Sequence, residues 1–581
     1  MSHLRYRALI VALAMSGAVP ALAQTREVTS RDETPTFQSS VNLVRVPVVV
    51  RDKTGHPVGG LHKEDFHLTD HGKPQDIAQF AVEGGAVAKP ASEQVKVELP
   101  GDSTAKVKPP AATRFVAFVV DDVNLTSEQL GGVRTAALKY IEQGMPPEER
   151  VALITLSGNT SLEMTNDAAK FREALMKIQP VPPRRHFPPA TFYMASLFMR
   201  DSGDEAAGCK YTQNGPVCDP SMPEVLKIQT LITRDCLKMN PEQVADAPPI
   251  ARTSLRETYQ DGQADANRTL RILDNSVRLL GALPGDRVMI LISPGILLTD
   301  DQQRVLGSLI DRATHSGVVI NSLDSRGVYT NVMSGKIEGC VLATVYTAQE
   351  VARMDQFANA ERGLILGTLP ASTGGAAVSD NNFLGGLNRL ARPPEYVYYL
   401  GYYPQDLKAD GKFHDIKVTL ANPQGVTLQA RKGYWAPAHV EDAATTATRE
   451  IAEAVFSHDE LHDLPLDVDT EYYKTPAGDA KLKITSHLDI HQLHLRKVED
   501  RNRNDVTLVC ALFDGNGNYV QGVQKVVELR LKDENVEHHR GQGLTVNSVF
   551  DVKRGAYMVR VVARDGEGRQ MAAANDTVEI P

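Results

Sequence analysis

The chain has 581 residues, enough for about three or four domains of ordinary size, and its composition is that of a globular protein. It carries 63 basic against 72 acidic side chains, which gives a formal net charge of −9 at pH 7. This mildly acidic balance argues against a nucleic-acid partner, because phosphate binding needs concentrated basic charge.

The first 23 residues have the features of a secretory signal peptide. Arg5 and Arg7 precede an apolar run, and Ala21 and Ala23 are small residues of the kind a signal peptidase recognises. We therefore expect residues 1–23 to be removed and the protein to be exported to the periplasm or the extracellular space. No later stretch is apolar enough to predict a transmembrane segment after cleavage.

The next elements are short strands between two linkers. Residues 24–40 and 85–112 are polar, contain proline and lack a hydrophobic period, so both are interpreted as linkers. Between them, residues 41–84 alternate apolar and polar side chains around turn-forming residues, which predicts antiparallel strands and hairpins.

From residue 113 apolar runs alternate with segments of helical spacing. FVAFVV, RVALITLS, RVMILIS and VVINSLD are typical of buried strands, and the segments between them predict helices. Such alternation predicts a parallel sheet with right-handed crossovers. The pattern fails between residues 183 and 262, which we interpret as an insertion containing only short helices.

The predicted fold class is α/β. A doubly wound, mostly parallel sheet of von Willebrand type A or Rossmann-like form occupies residues 113–394 and is inserted into a β-sandwich. Residues 41–84 and 395–437 supply the two parts of that sandwich. A helical linker at 438–462 then leads to a C-terminal Ig-like β-sandwich at 463–581, which short alternating strands and Gly-rich turns indicate.

The cysteines predict cross-links in the insertion. Cys209, Cys218 and Cys236 lie in a Gly/Pro/Asn-rich region, and an oxidising compartment favours disulfides there. We predict Cys209 with Cys218 and Cys236 with Cys340, although spacing alone leaves the connectivity open. Cys510 lies in a strand-like segment and is predicted to be a buried free thiol.

The order of several motifs resembles that of the VWFA-related proteins of Acidobacteria. The motifs are RFVAFVVDD, DRVMILIS, TGG at 373–375, YYLGYYP, KFHDIKV and ARKGYW, and the similarity extends over most of the mature chain. The resemblance implies a von Willebrand factor type A domain with flanking β-domains. That fold usually mediates adhesion or protein assembly, so it implies a protein ligand.

Type A domains commonly bind Mg²⁺ through a DxSxS motif, a distant Thr and a distant Asp, because a hard cation prefers oxygen ligands. Counted from Asp121, the serine positions are Val123 and Leu125, whereas counting from Asp122 gives a DxNxT motif. Pro294 stands where the distant Asp is expected. The candidate metal residues that the resemblance implies are Asp121, Asp122, Asn124, Thr126 and Thr191.

A structural role for the Asp pair is the alternative. The segment TSEQ at 126–129 has the pattern of a helix capping box, and an Asp at a strand end accepts hydrogen bonds from loop amides. Adjacent side chains on a strand also diverge, unlike the carboxylates of an acid/base dyad.

Two histidine patterns have spacings that a zinc site could use, although a linker segment and a solvated strand face are the preferred interpretations. HDELH at 458–462 has the i, i+4 spacing of a zincin helix, although Asp459 stands where the catalytic Glu is usual. His487, Asp489 and His491 would share one face of a strand, with His494 nearby.

The sequence thus predicts an exported, non-enzymatic adhesion or protein-interaction protein, whose type A domain presents one face to a protein partner. A secreted zinc-dependent hydrolase and an envelope scaffold that binds cell-surface polymers are the alternatives. The ligand and the oligomeric state are left open.

Overall fold

The computed structural model describes seventeen stretches of the chain. They are residues 27–33, 44–53, 58–84, 112–181, 186–201, 209–212, 215–218, 224–327, 340–391, 396–402, 404, 413–423, 425–435, 443–457, 461–474, 480–568 and 570–581. The predicted signal peptide and nearly all of the predicted linker at 85–112 lie outside these ranges.

The described strands and helices are numbered in chain order. The strands are β1 (Val28–Glu33), β2 (Val44–Asp52), β3 (Phe66–Asp70), β4 (Lys73–Gln75), β5 (Gln79–Gly84), β6 (Arg114–Val120), β7 (Glu149–Thr155), β8 (Ser161–Thr165), β9 (Cys209–Thr212), β10 (Gly215–Cys218), β11 (Asp286–Ser293), β12 (Val318–Asp324), β13 (Ala377–Val378), β14 (Tyr396–Tyr402), β15 (Phe413–Leu420), β16 (Val426–Ala430), β17 (Gly433–Trp435), β18 (Leu461–His462), β19 (Leu466–Lys474), β20 (Ala480–Leu488), β21 (Arg496–Val498), β22 (Arg501–Asp514), β23 (Tyr519–Leu531), β24 (Leu544–Val552), β25 (Gly555–Arg564) and β26 (Met571–Ile580). The helices are α1 (Ser127–Glu142), α2 (Ala168–Lys177), α3 (Phe192–Asp201), α4 (Glu224–Leu237), α5 (Ala247–Gly281), α6 (Asp300–His315), α7 (Val345–Thr373), α8 (Phe383–Ala391), α9 (Ala443–Phe456) and α10 (Val536–Gln542).

The predicted fold class is wrong. The structure is about 38% helical and 37% strand. Most sheets of the described chain are antiparallel, and a single sheet is mixed. A doubly wound core requires a series of crossovers, but only residues 156–160 join β7 to β8, so these strands pair antiparallel. Parallel pairing needs a connection of about a dozen residues or more, which this turn cannot supply.

The mixed sheet has the strand order β13, β12, β11, β6, β7, β8. Helices α5, α6 and α7 pack against one of its faces, and α1, α2 and α8 pack against the other. Every residue of β6 is buried, as expected for a strand covered on both faces. The strand order reverses between β6 and β11, so the residues that follow these two strands lie side by side.

Strands from before and after the mixed sheet combine into a pair of antiparallel sheets. One has the order β16, β2, β14, β5, and the other has the order β17, β15, β3, β4. Their inner faces share one apolar core that includes Val46, Leu68, Tyr398 and Ile416. Residues separated by more than 300 positions in sequence therefore meet in this unit, for example Thr69 and Lys417.

The C-terminal part pairs a large sheet with a small one. The large sheet has the order β1, β23, β22, β25, β26, β18, with β21 on β22, and the small sheet has the order β19, β20, β24. The two sheets enclose the apolar core. Two predicted linkers contribute to this part: residues 24–40 include β1, which pairs with β23, and residues 438–462 include α9, which packs on the large sheet.

The predicted insertion is more helical than its sequence indicates. Helix α5 has 35 residues and continues through the predicted boundary at residue 262. Helices α3, α4, α5 and α7 share an apolar cluster. Gly262 lies where α5 meets α3, and a Cβ there would be 2.1 Å from the ring of Phe192, so the missing side chain permits the close contact. In the described ranges, no helix has the length and apolarity needed to cross a membrane.

Candidate functional site

Asp121 and Asp122 follow β6 at the carboxyl edge of the mixed sheet. Both side chains are buried, and they point to different partners. Asp121 faces the end of β11, whereas Asp122 faces the end of β7. The pair therefore divides between two neighbouring strands rather than forming one shared carboxylate centre.

Asp121 accepts hydrogen bonds on both carboxylate oxygens. Oδ2 accepts from the Ser293 hydroxyl at 2.6 Å, and the Asn124 backbone and side-chain amides donate at 2.9 and 3.0 Å. Ser293 Oγ in turn accepts from the Gly295 amide at 3.0 Å. Gly295 has φ +99°, and a Cβ there would lie 2.4 Å from the Arg362 carbonyl oxygen, so the turn needs glycine. Pro294 thus belongs to a tight turn that Asp121 holds against the sheet.

Asp122 binds the residues after β7. Its Oδ1 accepts from the Ser157 amide at 2.9 Å and its Oδ2 accepts from the Ser157 hydroxyl at 2.5 Å. Its backbone carbonyl accepts from the Val181 amide at 2.7 Å. These bonds fasten the loop after β7 and the segment that leaves α2 to the end of β6.

The two candidate threonines cap helices. Thr126 and Gln129 form the reciprocal bonds of a capping box at the start of α1, as the TSEQ pattern predicts. Thr191 Oγ1 accepts from the Met194 amide at 3.2 Å in the first turn of α3. Neither hydroxyl hydrogen-bonds to the Asp pair.

The predicted magnesium residues do not fit a magnesium site. Asn124 uses its amide nitrogen to bind Asp121, and the carboxylates of Asp121 and Asp122 are buried among internal donors. Mg²⁺ needs near-octahedral oxygen ligands and usually retains several waters. A buried carboxylate that is already surrounded by donors cannot take that role without breaking the loop contacts described above.

The electrostatics at this edge involve the half-buried guanidinium of Arg362. Burial lowers the pKa of the Arg362 guanidinium on α7, and the nearby Arg326 adds to this effect, whereas the carboxyls of Asp355 and Asp121 act in the opposite direction. Burial also raises the pKa of Asp121 from its ordinary value of 3.8, despite the hydrogen bonds from Ser293 and Asn124. Burial thus works against the charged form of both groups.

We expect the stability contributed by Asp121 to fall as pH rises. Because the pKa of this acid is raised in the folded chain, the folded state binds more protons than the unfolded state above pH 3.8 and up to the folded pKa. From pH 3.8 upward, wild type should lose stability relative to Asp121→Asn, which does not titrate, until the pH passes the folded pKa of Asp121. Thermal unfolding of both proteins across this range measures the difference.

The control for this pH experiment is Asp500→Asn, because the side chain of Asp500 is 83% exposed. Thermal unfolding of Asp500→Asn over the same pH values gives the reference for an exposed side chain. A difference between wild type and Asp121→Asn that does not change with pH would contradict the expected linkage.

The histidine patterns proposed for zinc do not assemble as predicted. Residues 458–460 lie outside the described residues, and Leu461 and His462 form β18 rather than a helix. His491 Nδ1 lies 2.6 Å from Asp489, whereas His487 Nδ1 contacts the Thr545 hydroxyl at 3.0 Å. His494 Nδ1 faces Asp565 at 3.8 Å. These groups divide among separate partners.

A different cluster of metal-binding side chains lies in the antiparallel unit. One ligand atom from each of Asp70, His71 and His414 lies within 4.8 Å of the others. No local sequence pattern indicates this cluster, because His414 is more than 340 positions from the other two residues. The pairing of β3 with β15 brings them together, and the DHG turn and the KFHD strand were the available sequence signals.

Tyrosine hydroxyls orient Asp70 within this cluster. Tyr402 and Tyr434 each donate to Asp70 Oδ2 at 3.0 Å. Burial is the main cause that raises the pKa of Tyr402, and the neighbouring Tyr434 and Asp70 add to it. Burial is also the main cause for Tyr434, where Asp70 again raises the pKa further. Both hydroxyls therefore keep their protons and donate. Burial lowers the pKa of Arg431, which lies near the two tyrosines, to about 10, so it remains a cation at neutral pH.

Cys236 and Cys340 form a disulfide, with their Cα atoms 4.8 Å apart. The backbones of Cys209 and Cys218 pair in the β9–β10 hairpin, but their side chains lie outside the described part, and so does the predicted bond between them. Cys510 is a buried free cysteine, as predicted. The observed disulfide joins the end of α4 to the segment that leads into α7.

No family model and no curated protein matches the chain. Among solved structures, it shows a likeness to a β-glucosidase from Streptomyces venezuelae in complex with D-glucose. That match has a TM-score of 0.10 and 9% identity, and it covers 56% of this chain and 36% of that one. Similarity at this level carries no argument about fold or function. The resemblance to VWFA-related proteins, drawn from the sequence motifs, stays a prediction.

Proposed function

We propose that this chain is an exported, non-enzymatic protein that binds a protein partner through the surface around the Cys236–Cys340 disulfide. The observation that supports this proposal is a group of exposed apolar side chains beside the disulfide. Leu237 is 37% exposed, Val341 87%, Val345 74% and Tyr346 50%. Leu237 and Val341 directly follow the bonded cysteines, so the disulfide holds them near each other.

The surface is held by polar contacts as well as by the disulfide. The Ala343 amide donates to Asp235 Oδ2 at 2.7 Å, and the Tyr346 hydroxyl donates to Glu224 at 2.9 Å. The segment from Cys340 to Tyr346 is therefore fastened along α4 at both ends. A preorganised apolar surface loses little conformational entropy when a partner covers it, which favours binding.

A protein partner fits this composition because the centres of protein interfaces are apolar and contain aromatic side chains. Asp121 and Asp122 have no acid/base role in this function, since both carboxylates already accept internal hydrogen bonds. The bound partner would present apolar side chains to Val341 and Val345, with polar groups at the rim near Glu224, whose side chain is exposed.

The test compares two charge-introducing variants of the full chain. We expect Val341→Asp together with Val345→Asp to weaken saturable binding to native envelope fractions at least about tenfold, because the partner would have to desolvate two carboxylates. Val305→Asp is the matched control, since Val305 is an exposed valine, 48% exposed, on α6 of the mixed sheet. It should bind as wild type does.

Each other outcome of this experiment overturns the proposal. Equal binding by all three proteins would place the contact elsewhere, and the absence of saturable binding would remove the proposed function. Binding that survives protease digestion of the envelope fraction would indicate a cell-surface polymer as partner. Binding abolished by a chelator in the wild type would indicate a cation-dependent contact.

A further inference from the structure

The cluster formed by Asp70, His71 and His414 lies at one end of the antiparallel unit, far in sequence from the surface around the disulfide. His71 and Gly72 form the two-residue turn between β3 and β4, and both have positive φ, +48° and +75°. Turns of this kind strongly prefer Asn-Gly, Asp-Gly or Gly-Gly. Histidine is less usual there, although it is one of the residues enriched at positive φ, so what its side chain contacts becomes the relevant question.

Strand register places His414 opposite this turn. The His71 amide donates to the Asp415 carbonyl at 2.9 Å, which fixes the turn against β15. The rings of His71 and His414 are 4.4 Å apart between centroids. His71 is exposed and His414 is buried, so the two imidazoles stand at the boundary between solvent and the core.

Asp70 supplies an oxygen that lacks a hydrogen bond. The residue is only 6% exposed, and while Oδ2 accepts both tyrosine hydroxyls, Oδ1 is buried without a hydrogen-bond partner. Oδ1 lies 3.9 Å from His414 Nδ1. A buried carboxylate oxygen in this state is costly unless a cation or a donor reaches it.

These distances fit a small metal ion after a modest contraction. Zinc binds imidazole nitrogen and carboxylate oxygen at about 2.0–2.2 Å, which sets tetrahedral ligands about 3.3 Å apart. The observed upper separation of 4.8 Å and the Asp70–His414 distance of 3.9 Å are longer than this value, so the side chains would move together on binding, and a metal at His414 Nδ1 would replace its 3.4 Å contact with the Tyr434 hydroxyl. The tyrosine bonds to Oδ2 are the outer contacts that orient a metal-binding carboxylate.

We propose that Asp70, His71 and His414 bind a divalent transition metal ion of the zinc class, with the fourth position open to solvent beside His71. Two imidazoles and one carboxylate suit zinc, copper, nickel or iron rather than magnesium or calcium, which prefer oxygen ligands. The Asp70 carboxylate offsets part of the metal ion's charge. The Arg431 guanidinium lies near Tyr402 and Tyr434. Water or a donor from a partner would complete the coordination. This site is independent of the proposed protein-binding surface.

The test titrates zinc into the metal-free full chain and measures bound zinc per chain together with the melting temperature. We expect saturable uptake of a single equivalent at this site and a melting temperature that rises with zinc concentration. Mg²⁺ should produce no shift, because the two imidazole ligands do not suit a hard cation.

Three substitutions distinguish the site from adventitious binding. His71→Asn keeps a residue that favours positive φ, so the metal-free protein should melt at or above the wild-type temperature while zinc affinity falls about 100-fold or more. Tyr402→Phe should weaken zinc about 10- to 100-fold, because Asp70 loses one orienting bond. His491→Asn is the matched control on an exposed histidine and should leave affinity unchanged.

The results of these measurements distinguish zinc binding at Asp70, His71 and His414 from zinc binding elsewhere. Failure of wild type to take up zinc, or unchanged affinity in His71→Asn, would overturn the assignment. Loss of binding in His491→Asn with retention in His71→Asn would place the zinc at the C-terminal histidines instead. Zinc binding with no effect on the affinity for envelope fractions leaves the proposed function untouched, so the two proposals fail separately.

Discussion

Replacing both Cys236 and Cys340 by serine is expected to expose α4 and the segment after residue 340 to local unfolding. The bond closes a loop with a sequence separation of 104 residues. Chain-entropy estimates for a loop of this size give about 4.7 kcal/mol, and removal of native disulfides typically costs about 2–5 kcal/mol. Both cysteines also contact the apolar cluster of α3, α4, α5 and α7, so their loss weakens packing as well.

Hydrogen exchange is the suitable measurement, because a chain with several domains does not unfold in a single two-state transition. Amides of α4 and of residues 340–347 should exchange much faster in the double variant, whereas amides of β6 should change little. Cys510→Ala is the control for loss of a buried sulfur without loss of a cross-link. Unchanged exchange in α4 would show that packing, and not the disulfide, holds this region.

Arg560→Met is expected to release α9 from the C-terminal sheet. Arg560 is fully buried, and its Nε and Nη2 donate to the Ala454 carbonyl at 3.0 and 2.8 Å. Its Nη1 donates to Asn575 Oδ1 at 2.9 Å. Without the guanidinium, the last turn of α9 loses a cation at its negative end, and buried acceptors lose their donors, for a cost of about 3–5 kcal/mol.

Exchange protection of residues 443–456 reports this change directly. Arg560→Lys is the graded comparison, because a lysine retains the charge but cannot donate in the forked geometry of arginine, and it should restore only part of the protection. Full protection of α9 in Arg560→Met would mean that the apolar contacts of Ile451 and Val455 with the sheet suffice.

Much of the secondary structure follows from local patterns. The apolar run RFVAFVV predicts β6, and the capping box at Thr126 predicts the start of α1, because both depend on residues close in sequence. The fold class was wrong because periodicity does not show strand direction. The short turn between β7 and β8, visible in the sequence, was the signal that a crossover was lacking.

The candidate sites depend on contacts that no local pattern contains. Ser293 meets Asp121 because the strand order reverses between β6 and β11, and this could be inferred only after the order was known. His414 meets Asp70 through one pairing register between β3 and β15, and a shift by a single residue would turn His414 to the other face. Likewise, the exposure of Val341 depends on how the disulfide holds its segment.

The pairing of β1 with β23 has a consequence for how the protein is made. Val28 aligns with Leu529, so the first described strand completes a sheet whose other members are the last to be synthesised. Ribosomes deliver the N-terminus first, and strand pairings between distant segments form slowly. During synthesis β1 therefore remains unpaired until β23 has been made. The edge of the C-terminal sheet at β23 then stays open until β1 pairs with it. That interval is when this chain is most exposed to edge-to-edge aggregation, and it is where a chaperone would have most effect.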